Sequence, residues 1–155
     1  MGIHIKKDPV GERYLSPELS KDDYLISNIM HISDVQKGCA FIANKIIEAG
    51  IKHDYTKITL IDEFMDDAVT IPRAEFSKGE WFQAHVSGER HHLNNYCPDD
   101  VTLIDVIEKL VDVTMSAMAR KGKMRPDIIS DAILQKAYQN TIEMLKKEIV
   151  IDDDK

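Results

Sequence analysis

Apolar residues recur at helical spacing along most of the chain, and this pattern is the strongest constraint on its fold. In the first such stretch they follow one another mostly at steps of three and four: Tyr24, Ile26, Ile29, Met30, Cys39, Ile42, Ile46 and Ile47. Such spacing places side chains on one face of an α-helix. Ser20 is suited to cap the start of this helix and Gly50 to end it. The pattern fits either one long helix or two helices that break near Ser33.

Four further segments show helical periodicity. A short second helix is predicted in TLIDEFMDDAV, with Thr59 as its N-cap, and a third over residues 75–95. A fourth, LIDVIEKLVDVTMSAMARKG, follows a cap at Asp100 or Thr102 and ends at Gly122, and a fifth lies in PDIISDAILQKAYQNTIEMLKKEIV. No segment alternates strongly enough between apolar and polar residues to predict a strand. The sequence therefore predicts an all-α helical bundle.

The length and composition fit one compact domain. The chain has 155 residues, of which 43% are hydrophobic and 30% charged. A domain of this size should bury about 70% of the surface that its unfolded chain exposes, so it needs no disulfide or structural metal to fold. We expect an irregular N-terminal arm over residues 1–21, a helical domain over 22–150 and an acidic tail over 151–155.

Charge and hydropathy argue against several classes of function. The chain has 27 acidic and 20 basic residues, a net charge of −7, whereas non-specific nucleic-acid binding needs a basic surface. No segment approaches the roughly 20 apolar residues of a membrane span, and the N-terminus lacks the apolar stretch of a signal peptide. Cys39 and Cys97 form no metal-binding or disulfide pattern. We expect a cytoplasmic protein, with a homodimer left open.

Five of the six histidines fall on or beside predicted helices. In the third helix, His85, Glu89 and His92 lie at steps of four and three, which places them on one face. In a regular helix, His85 and His92 are about 10 Å apart along the axis, too far to share one ion. Gly88 lies between them and would allow the helix to break. His91 points elsewhere if the helix stays regular.

The fourth helix carries an acidic stripe, formed by Asp105, Glu108 and Asp112 at steps of three and four. A solvated helix face is the simplest explanation of such a stripe. It does not explain Asp112, which lies between Leu110 and Val113 in the most hydrophobic part of the helix. A carboxylate in apolar surroundings is costly unless it is paired or bound to a cation.

The order of these residues resembles that of the HD-domain metal-dependent phosphohydrolases. His31 lies in the first helix, the dyad His53-Asp54 follows that helix, further histidines come later, and Asp112 is last. The finer pattern HDYTKI…EF…H…ERHHLN…EKLVD is similar to that of a group of small phage and bacterial proteins. Because the HD dipeptide alone is common, the resemblance depends on the whole order, which spans residues 31–122.

The resemblance implies a metal centre. It implies a first divalent ion held by four side chains: His31, His53, Asp54 and Asp112. It also implies a second ion, bridged by Asp54 and held by His85 with either His92 or His91, so that one or two ions are expected. Mixed imidazole and carboxylate ligands suit Mn²⁺, Fe²⁺, Co²⁺, Ni²⁺ or Zn²⁺ better than Ca²⁺.

The resemblance further implies a phosphohydrolase that uses a metal-activated water on a nucleotide or another small phosphate ester. In that reading Asp54 and Lys57 are catalytic, and Lys57 and Arg120 are the cations placed to bind phosphate, unless they are ordinary exposed cations. One alternative is a non-catalytic HD-like module that binds a nucleotide or a host protein. Another is a structural bundle with incidental histidines. A phage-encoded protein of this kind would act in the host cytoplasm.

Overall fold

The computed structural model describes residues 2–152 and confirms the prediction of an all-α fold. The described part contains six α-helices: α1 (Lys21–Lys52), α2 (Thr56–Thr59), α3 (Ile61–Thr70), α4 (Glu80–Gly88), α5 (Leu103–Lys121) and α6 (Asp131–Glu148). The same part has two short strands, β1 (Ile3–Lys6) and β2 (Ile149–Asp152), and two short 3-10 helices. The chain divides into a first unit, residues 2–45 with 142–152, and a second unit, residues 46–141.

The first unit joins early and late segments of the chain through a parallel strand pair. In β1 and β2, Ile3 pairs with Ile149 and Lys6 with Asp152. At the position of β1 the sequence predicted an irregular arm, and at the position of β2 it predicted the end of a helix. Each strand has only four residues, and its partner is distant in sequence. Local periodicity therefore cannot predict the pairing.

The predicted arm and tail are therefore only partly irregular. Residues 3–6 of the arm form β1, and residues 151–152 of the predicted tail belong to β2. Residues 153–155 of that tail lie outside the described residues. Within residues 2–152, no helix combines the length and the apolar character that crossing a lipid bilayer requires.

Helix α1 is unbroken, so the single long helix is the correct alternative. Ser20 caps it as predicted: its hydroxyl oxygen accepts a hydrogen bond from the backbone N–H of Asp23, whose carboxylate accepts one from the backbone N–H of Ser20. This reciprocal pair is a capping box. The predicted stop at Gly50 is wrong, because the helix continues to Lys52 and the left-handed residue after it is Asp54, with φ of 54°.

The second predicted helix, residues 59–69, corresponds to α3, and the short α2 precedes it. Thr59 is not an N-cap, because it ends α2 and its hydroxyl donates a hydrogen bond to the backbone oxygen of Tyr55. Leu60 precedes α3 without a side-chain cap. The hydroxyl of Thr59 does not cap α3, because it is already hydrogen-bonded to Tyr55, one turn earlier in the chain.

The third predicted helix, residues 75–95, is wrong in its extent. Its first residues belong to a 3-10 helix, Arg73–Lys78, and α4 covers only nine residues before Glu89 adopts an extended backbone. The following residues form turns. Gly88 is the last residue of α4, so the break occurs at the position that the sequence analysis marked as able to relax the helix.

The second unit has a hydrophobic core between the turns after α4 and helices α5 and α6. Leu93, Val101 and Ala137 are buried at its centre, and five half-buried residues pack against them: Cys97, Leu103, Val106, Ile129 and Ile133. Of the two predicted caps for α5, Thr102 is correct, in a capping box with Asp105, and Gly122 ends the helix with φ of 64°. This core therefore holds the first turns of α5, the helix that also carries Asp112.

Candidate metal centre

Six of the side chains predicted as metal ligands meet in the second unit. They are His53 and Asp54 after α1, His85 in α4, His91 and His92 in the turns after α4, and Asp112 in α5. The break after Gly88 brings Nε2 of His92 to 2.8 Å from Nε2 of His85, whereas a continuous helix would keep them about 10 Å apart. His91 also faces inward and is only 1% exposed.

The seventh predicted ligand, His31, does not join this group. It lies in α1 within the first unit, where the pKa of Asp8 is lowered mainly by a hydrogen bond from Ser27 and slightly by the charge of His31. None of the groups of ligand atoms found among the described residues includes His31.

Asp54 has a strained backbone. Its φ of 54° lies in the left-handed region, which residues other than Gly, Asn and Asp rarely adopt. Glycine is the usual residue where a chain leaves a helix in this conformation. A strained backbone at a buried carboxylate is typical of functional sites, where the surrounding structure holds the side chain in place.

Three imidazole nitrogens face one oxygen of Asp54. Its Oδ1 lies 3.5 Å from Nε2 of His85, 3.4 Å from Nε2 of His91 and 3.9 Å from Nε2 of His92. Oδ1 of Asp54 and both ring nitrogens of His91 are buried without a hydrogen-bond partner. Two ligands about 2.1 Å from a tetrahedral ion lie about 3.4 Å apart. These separations therefore suit shared coordination of an ion.

A second group surrounds Nε2 of His53. This atom lies 3.2 Å from Oδ2 of Asp54 and 3.5 Å from Oδ1 of Asp112. Nε2 of His91 lies 3.8 Å from the other oxygen of Asp112. His91 thus faces both aspartates and connects the two groups.

Three triads of ligand atoms follow from this arrangement: His53, His91 and Asp112; Asp54, His91 and His92; and Asp54, His85 and Glu89. Within each triad the atoms lie within 4.8 Å of one another. Because Asp54 and His91 each belong to two triads, the cluster has the donors for one ion or two. Mixed imidazole and carboxylate donors suit divalent transition metals and zinc, so the cluster fits such an ion.

The neighbours of Asp112 in the chain do not account for its role. Leu110 and Val111 are 59% and 52% exposed, so the apolar surroundings expected from the sequence are absent around these two side chains. The carboxylate of Asp112 instead faces His53 and His91, across which the carboxylate of Asp54 lies.

Thr56 and Glu89, which were not predicted as site residues, orient His85. The hydroxyl of Thr56 donates a hydrogen bond to Oε1 of Glu89 at 2.6 Å and lies 2.7 Å from Nδ1 of His85. A hydroxyl has one proton, so its oxygen accepts the second bond from the N–H at Nδ1 of His85. In the neutral ring Nε2 is then unprotonated, which is the form that binds a metal.

Glu108 was also missed by the sequence analysis. Its Oε1 accepts a hydrogen bond from Nδ1 of His53 at 2.9 Å and lies 3.1 Å from Nδ1 of His91, a contact without hydrogen-bond alignment. The acidic stripe of α5 is therefore not a solvated face, since Asp105 is also buried and paired with Arg90. The available signal was spacing: Glu108 precedes a predicted ligand by one helical turn, as Glu89 follows another.

Burial and nearby charges shift the pKa values of the three histidines in different directions. Burial lowers the pKa of His85, and the charge of Asp54 only partly opposes this. Burial, with the charges of His91 and His85, lowers the pKa of His92 to about 4. Burial also acts to lower the pKa of His91, but its contact with Glu108 and the nearby carboxylates outweigh burial and raise it. His85 and His92 are therefore neutral near pH 7 and ready to bind a cation.

Lys57 contacts the oxygen of Asp54 that faces away from these three histidines. Its Nζ donates a hydrogen bond to Oδ2 of Asp54, and its side chain is 43% exposed. Burial acts to raise the pKa of Asp54, but the hydrogen bond and charge of Lys57 outweigh it, so the pKa is lowered. Arg120, the other predicted phosphate ligand, is exposed in the last turn of α5, about 12 Å along the helix from Asp112.

An apolar groove adjoins the cluster. It has a volume of about 230 Å³ and is lined by Ile46, Gly50, His53, Ile107, Glu108, Val111, Asp112 and Met115. Three of these side chains, His53, Glu108 and Asp112, belong to the cluster or contact it. The groove therefore offers space for the organic part of a small molecule whose charged end lies at the cluster.

Comparison of the chain with protein-family models, with curated proteins and with solved structures finds no match. The resemblance to HD-domain phosphohydrolases thus stays a prediction from the order of the residues. The geometry of the cluster is the independent observation on which a function can be proposed.

Proposed function

We propose that this chain is a divalent-metal-dependent phosphohydrolase that acts on a nucleotide or another small phosphate ester. The observation that carries the proposal is Oδ1 of Asp54, a buried carboxylate oxygen that faces three imidazole nitrogens and accepts no hydrogen bond. A buried polar atom without a hydrogen-bond partner is costly, and a divalent cation at this point would remove that cost. The resemblance to HD-domain phosphohydrolases supports the choice of reaction.

Most residues of the cluster bind the ion in this proposal, and Lys57 binds the substrate. A bound divalent ion supplies a water with a pKa near 7 and polarises a phosphoryl oxygen. Asp54, the histidines and Asp112 would hold such an ion. Lys57 is half exposed beside them and, as a cation, donates to a phosphoryl oxygen once the ion rather than its ammonium neutralises Asp54.

The groove beside His53 and Asp112 supports a small organic phosphate as the substrate. Its volume of about 230 Å³ suits part of a nucleotide or a molecule of similar size, and its walls along α5 are apolar. Arg120 is proposed only for a phosphate distant from the reacting one, because it lies about 12 Å along α5 from Asp112. In this proposal the enzyme acts in the cytoplasm, or in the host cytoplasm if a phage encodes it.

A metal-supplemented screen tests the proposal. The protein is stripped with a chelator, reloaded separately with Mn²⁺, Fe²⁺, Co²⁺, Ni²⁺ or Zn²⁺, and incubated with nucleotides and with a generic aryl phosphate. We expect metal-dependent release of inorganic phosphate, which Asp54→Asn abolishes. Asp62→Asn is the matched control, because Asp62 is exposed at the start of α3 and should leave the activity unchanged.

Turnover also separates the proposal from a non-catalytic module that binds a nucleotide or a host protein. Such a module would bind metal and nucleotide without releasing phosphate under any of the metals. A structural bundle with incidental histidines would bind no stoichiometric metal at all. Either result would remove the proposed reaction.

A further inference from the structure

On the premise of the proposed metal site, we infer that Glu108 is a positioning residue for two metal-binding imidazoles at once. Its carboxylate holds His53 and His91 in the tautomer and orientation that present both Nε2 atoms to the ion. The inference needs the metal-binding part of the proposed function and is independent of hydrolysis.

The first support is that a single carboxylate oxygen serves two rings. Oε1 of Glu108 lies 2.9 Å from Nδ1 of His53 and 3.1 Å from Nδ1 of His91. A carboxylate accepts hydrogen bonds and donates none when ionised. The hydrogen bond requires His53 to carry a proton on Nδ1, and the closeness of the carboxylate to Nδ1 of His91 favours a proton there as well. In both neutral rings Nε2 is then the nitrogen free to bind a metal.

The second support is the direction in which the two Nε2 atoms face. For His53, Nε2 lies 3.2 Å from Asp54 and 3.5 Å from Asp112, and for His91 the distances are 3.4 Å and 3.8 Å. Both rings thus face the same two carboxylates with the nitrogen that Glu108 does not contact. An unprotonated nitrogen and a carboxylate oxygen repel each other unless a cation lies between them.

The third support is mechanical. Glu108 and Asp112 lie one turn apart on α5, so one helix supplies both the positioning carboxylate and a ligand. The rings of His53 and His91 lie with their centroids 4.4 Å apart and tilted by 40°, so moving one ring displaces the other. A carboxylate that holds the second nitrogen of a ligating histidine fixes the ring and increases its basicity.

The test measures metal affinity and histidine tautomers, with no assay of activity. Zn²⁺ is titrated against a competing chelator in the wild type, Glu108→Ala and Glu108→Gln, and the zinc-to-protein ratio is measured at saturation. In parallel, ¹⁵N NMR of the histidine rings reports which nitrogen carries the proton. Glu63→Gln is the matched control, since Glu63 is exposed in the first turn of α3.

We expect Glu108→Ala to weaken Zn²⁺ binding by about 10–100-fold with an unchanged ratio at saturation. The NMR signals of His53 and His91 should change from the Nδ1–H form to a mixture of tautomers. Glu108→Gln keeps an oxygen acceptor without the charge and should lie between Glu108→Ala and the wild type. If Glu108→Ala does not fold, the same two measurements on Glu108→Gln decide the question.

A double variant tests whether Glu108 acts through the histidine. The loss of affinity in His53→Ala with Glu108→Ala should be smaller than the sum of the two single losses, because a positioning group has less effect once its target is gone. Additive losses would contradict the inference. So would an affinity within about twofold of the wild type in Glu108→Ala, or a lower ratio at saturation, which would make Glu108 itself a ligand.

The outcome is separable from that of the proposed function. Metal binding without phosphate release removes only the hydrolytic proposal. Equal affinities in the wild type and Glu108→Ala remove only the role of Glu108. If the wild type binds no metal, both the proposed function and the role of Glu108 at a metal site fail.

Discussion

Two carboxylates of the second unit, the half-buried Asp54 and the buried Asp105, are compensated in opposite ways. Oδ1 of Asp105 accepts a hydrogen bond from Nε of Arg90 at 2.7 Å. Its Oδ2 accepts one from Nη2 of Arg90 at 3.0 Å and one from the backbone N–H of Thr102 at 2.7 Å. Asp54 has Lys57 at one oxygen, and its other oxygen is buried without any hydrogen-bond donor.

This difference in hydrogen bonding distinguishes Asp105, whose charge has a structural role, from Asp54, whose charge we propose to be functional. The protein itself satisfies both oxygens of Asp105, so this side chain caps α5 and anchors the turn after α4 without capacity for a ligand. At Oδ1 of Asp54 the nearest groups are imidazoles whose neutral forms bind cations, and the backbone is strained. Buried carboxylates in one unit thus have different roles according to whether the fold completes their hydrogen bonding.

The largest expected effect is the loss of metal from Asp54→Ala. If Asp54 bridges two ions, this variant should lose both, because a carboxylate has two oxygens, whereas His85→Ala should lose at most one. Asp105→Ala should keep the metal in the folded protein. Elemental analysis of the purified proteins measures the ratios, and equal ratios in the wild type and Asp54→Ala would remove the distinction between the two carboxylates.

The cations beside the two carboxylates should differ in the same way. Lys57→Ala should spare metal binding but lower kcat more than it raises KM, by about 10²–10³-fold, if Lys57 neutralises charge that develops on the phosphoryl group. It should change the free energy of unfolding little, because an exposed ion pair contributes little stability. Arg90→Ala should destabilise the fold instead.

Steady-state kinetics and denaturant unfolding of the two variants are the measurements. Wild-type kinetics in metal-loaded Lys57→Ala would place Lys57 on the solvated surface. Loss of metal from that variant would give it a structural role at the cluster. Either result would show that Lys57 does not have the catalytic role that distinguishes it from Arg90.

Asp105→Ala should lower the free energy of unfolding by about 2–3 kcal/mol. The change removes a buried partner of Arg90 and half of the capping box of α5. The value is set below that of a fully buried pair because the side chain of Arg90 is 46% exposed and therefore screened by water. Urea unfolding of the metal-free proteins measures the change, and a loss under about 1 kcal/mol would mean that the Asp105 network is not structural.

The pH dependence of stability should come from the Asp54 cluster through His92. The pKa of His92 is lowered to about 4 by burial, so between about pH 6.5 and 4 the unfolded chain binds a proton that the folded chain does not. Stability is therefore lost as the pH falls through this window, by about 2 kcal/mol from pH 7 to pH 5. His91, whose pKa is raised, has the opposite sign: its contribution is present below about pH 6.5 and is lost as the pH rises through its folded pKa.

The comparison of metal-free wild type with His92→Asn isolates this contribution, because His91 is present in both proteins. The difference in free energy of unfolding between the two should change by about 2 kcal/mol from pH 7 to pH 5. His4→Asn is the control, since His4 is exposed in the first unit. A pH-independent difference would mean that the imidazole of His92 titrates normally.

The smallest expected effect concerns the backbone of Asp54. Asp54→Gly should be more stable than Asp54→Ala by about 1 kcal/mol, because glycine adopts a φ of 54° without the clash of a β-carbon. Neither variant should bind metal as the wild type does. Equal stabilities of the two variants would mean that the left-handed backbone at this position stores no strain.

Much of the candidate site was predictable because it depends on residue types and their order. His53, Asp54, His85, His91, His92 and Asp112 were all predicted as ligands, and all six lie in the cluster. Glu108 and Glu89 were not predicted, because the sequence does not show whether water or a histidine lies beside a glutamate on an acidic helix face. His31 was predicted from the order of the family pattern alone, which contains no information on the length of α1.

The sequence by itself determined the helical class of the fold and the cap at Ser20, restricted the cap of α5 to Asp100 or Thr102, and predicted six of the side chains that meet in the cluster. These properties depend on residues within a few positions of one another, so periodicity and residue type report them directly. Even there, periodicity did not show what covers a helix face: Ile29 and Ile32 of α1 are 57% and 55% exposed.

Only the tertiary structure decided where α4 stops, that β1 pairs with β2, and that Glu108 contacts two histidines. Each of these depends on groups that are distant in the chain and near in space, and their energies exceed the small differences in local propensity. The break at Gly88 shows the reason most clearly. A turn that costs helical hydrogen bonds is kept because it brings His91 and His92 to the carboxylate of Asp54.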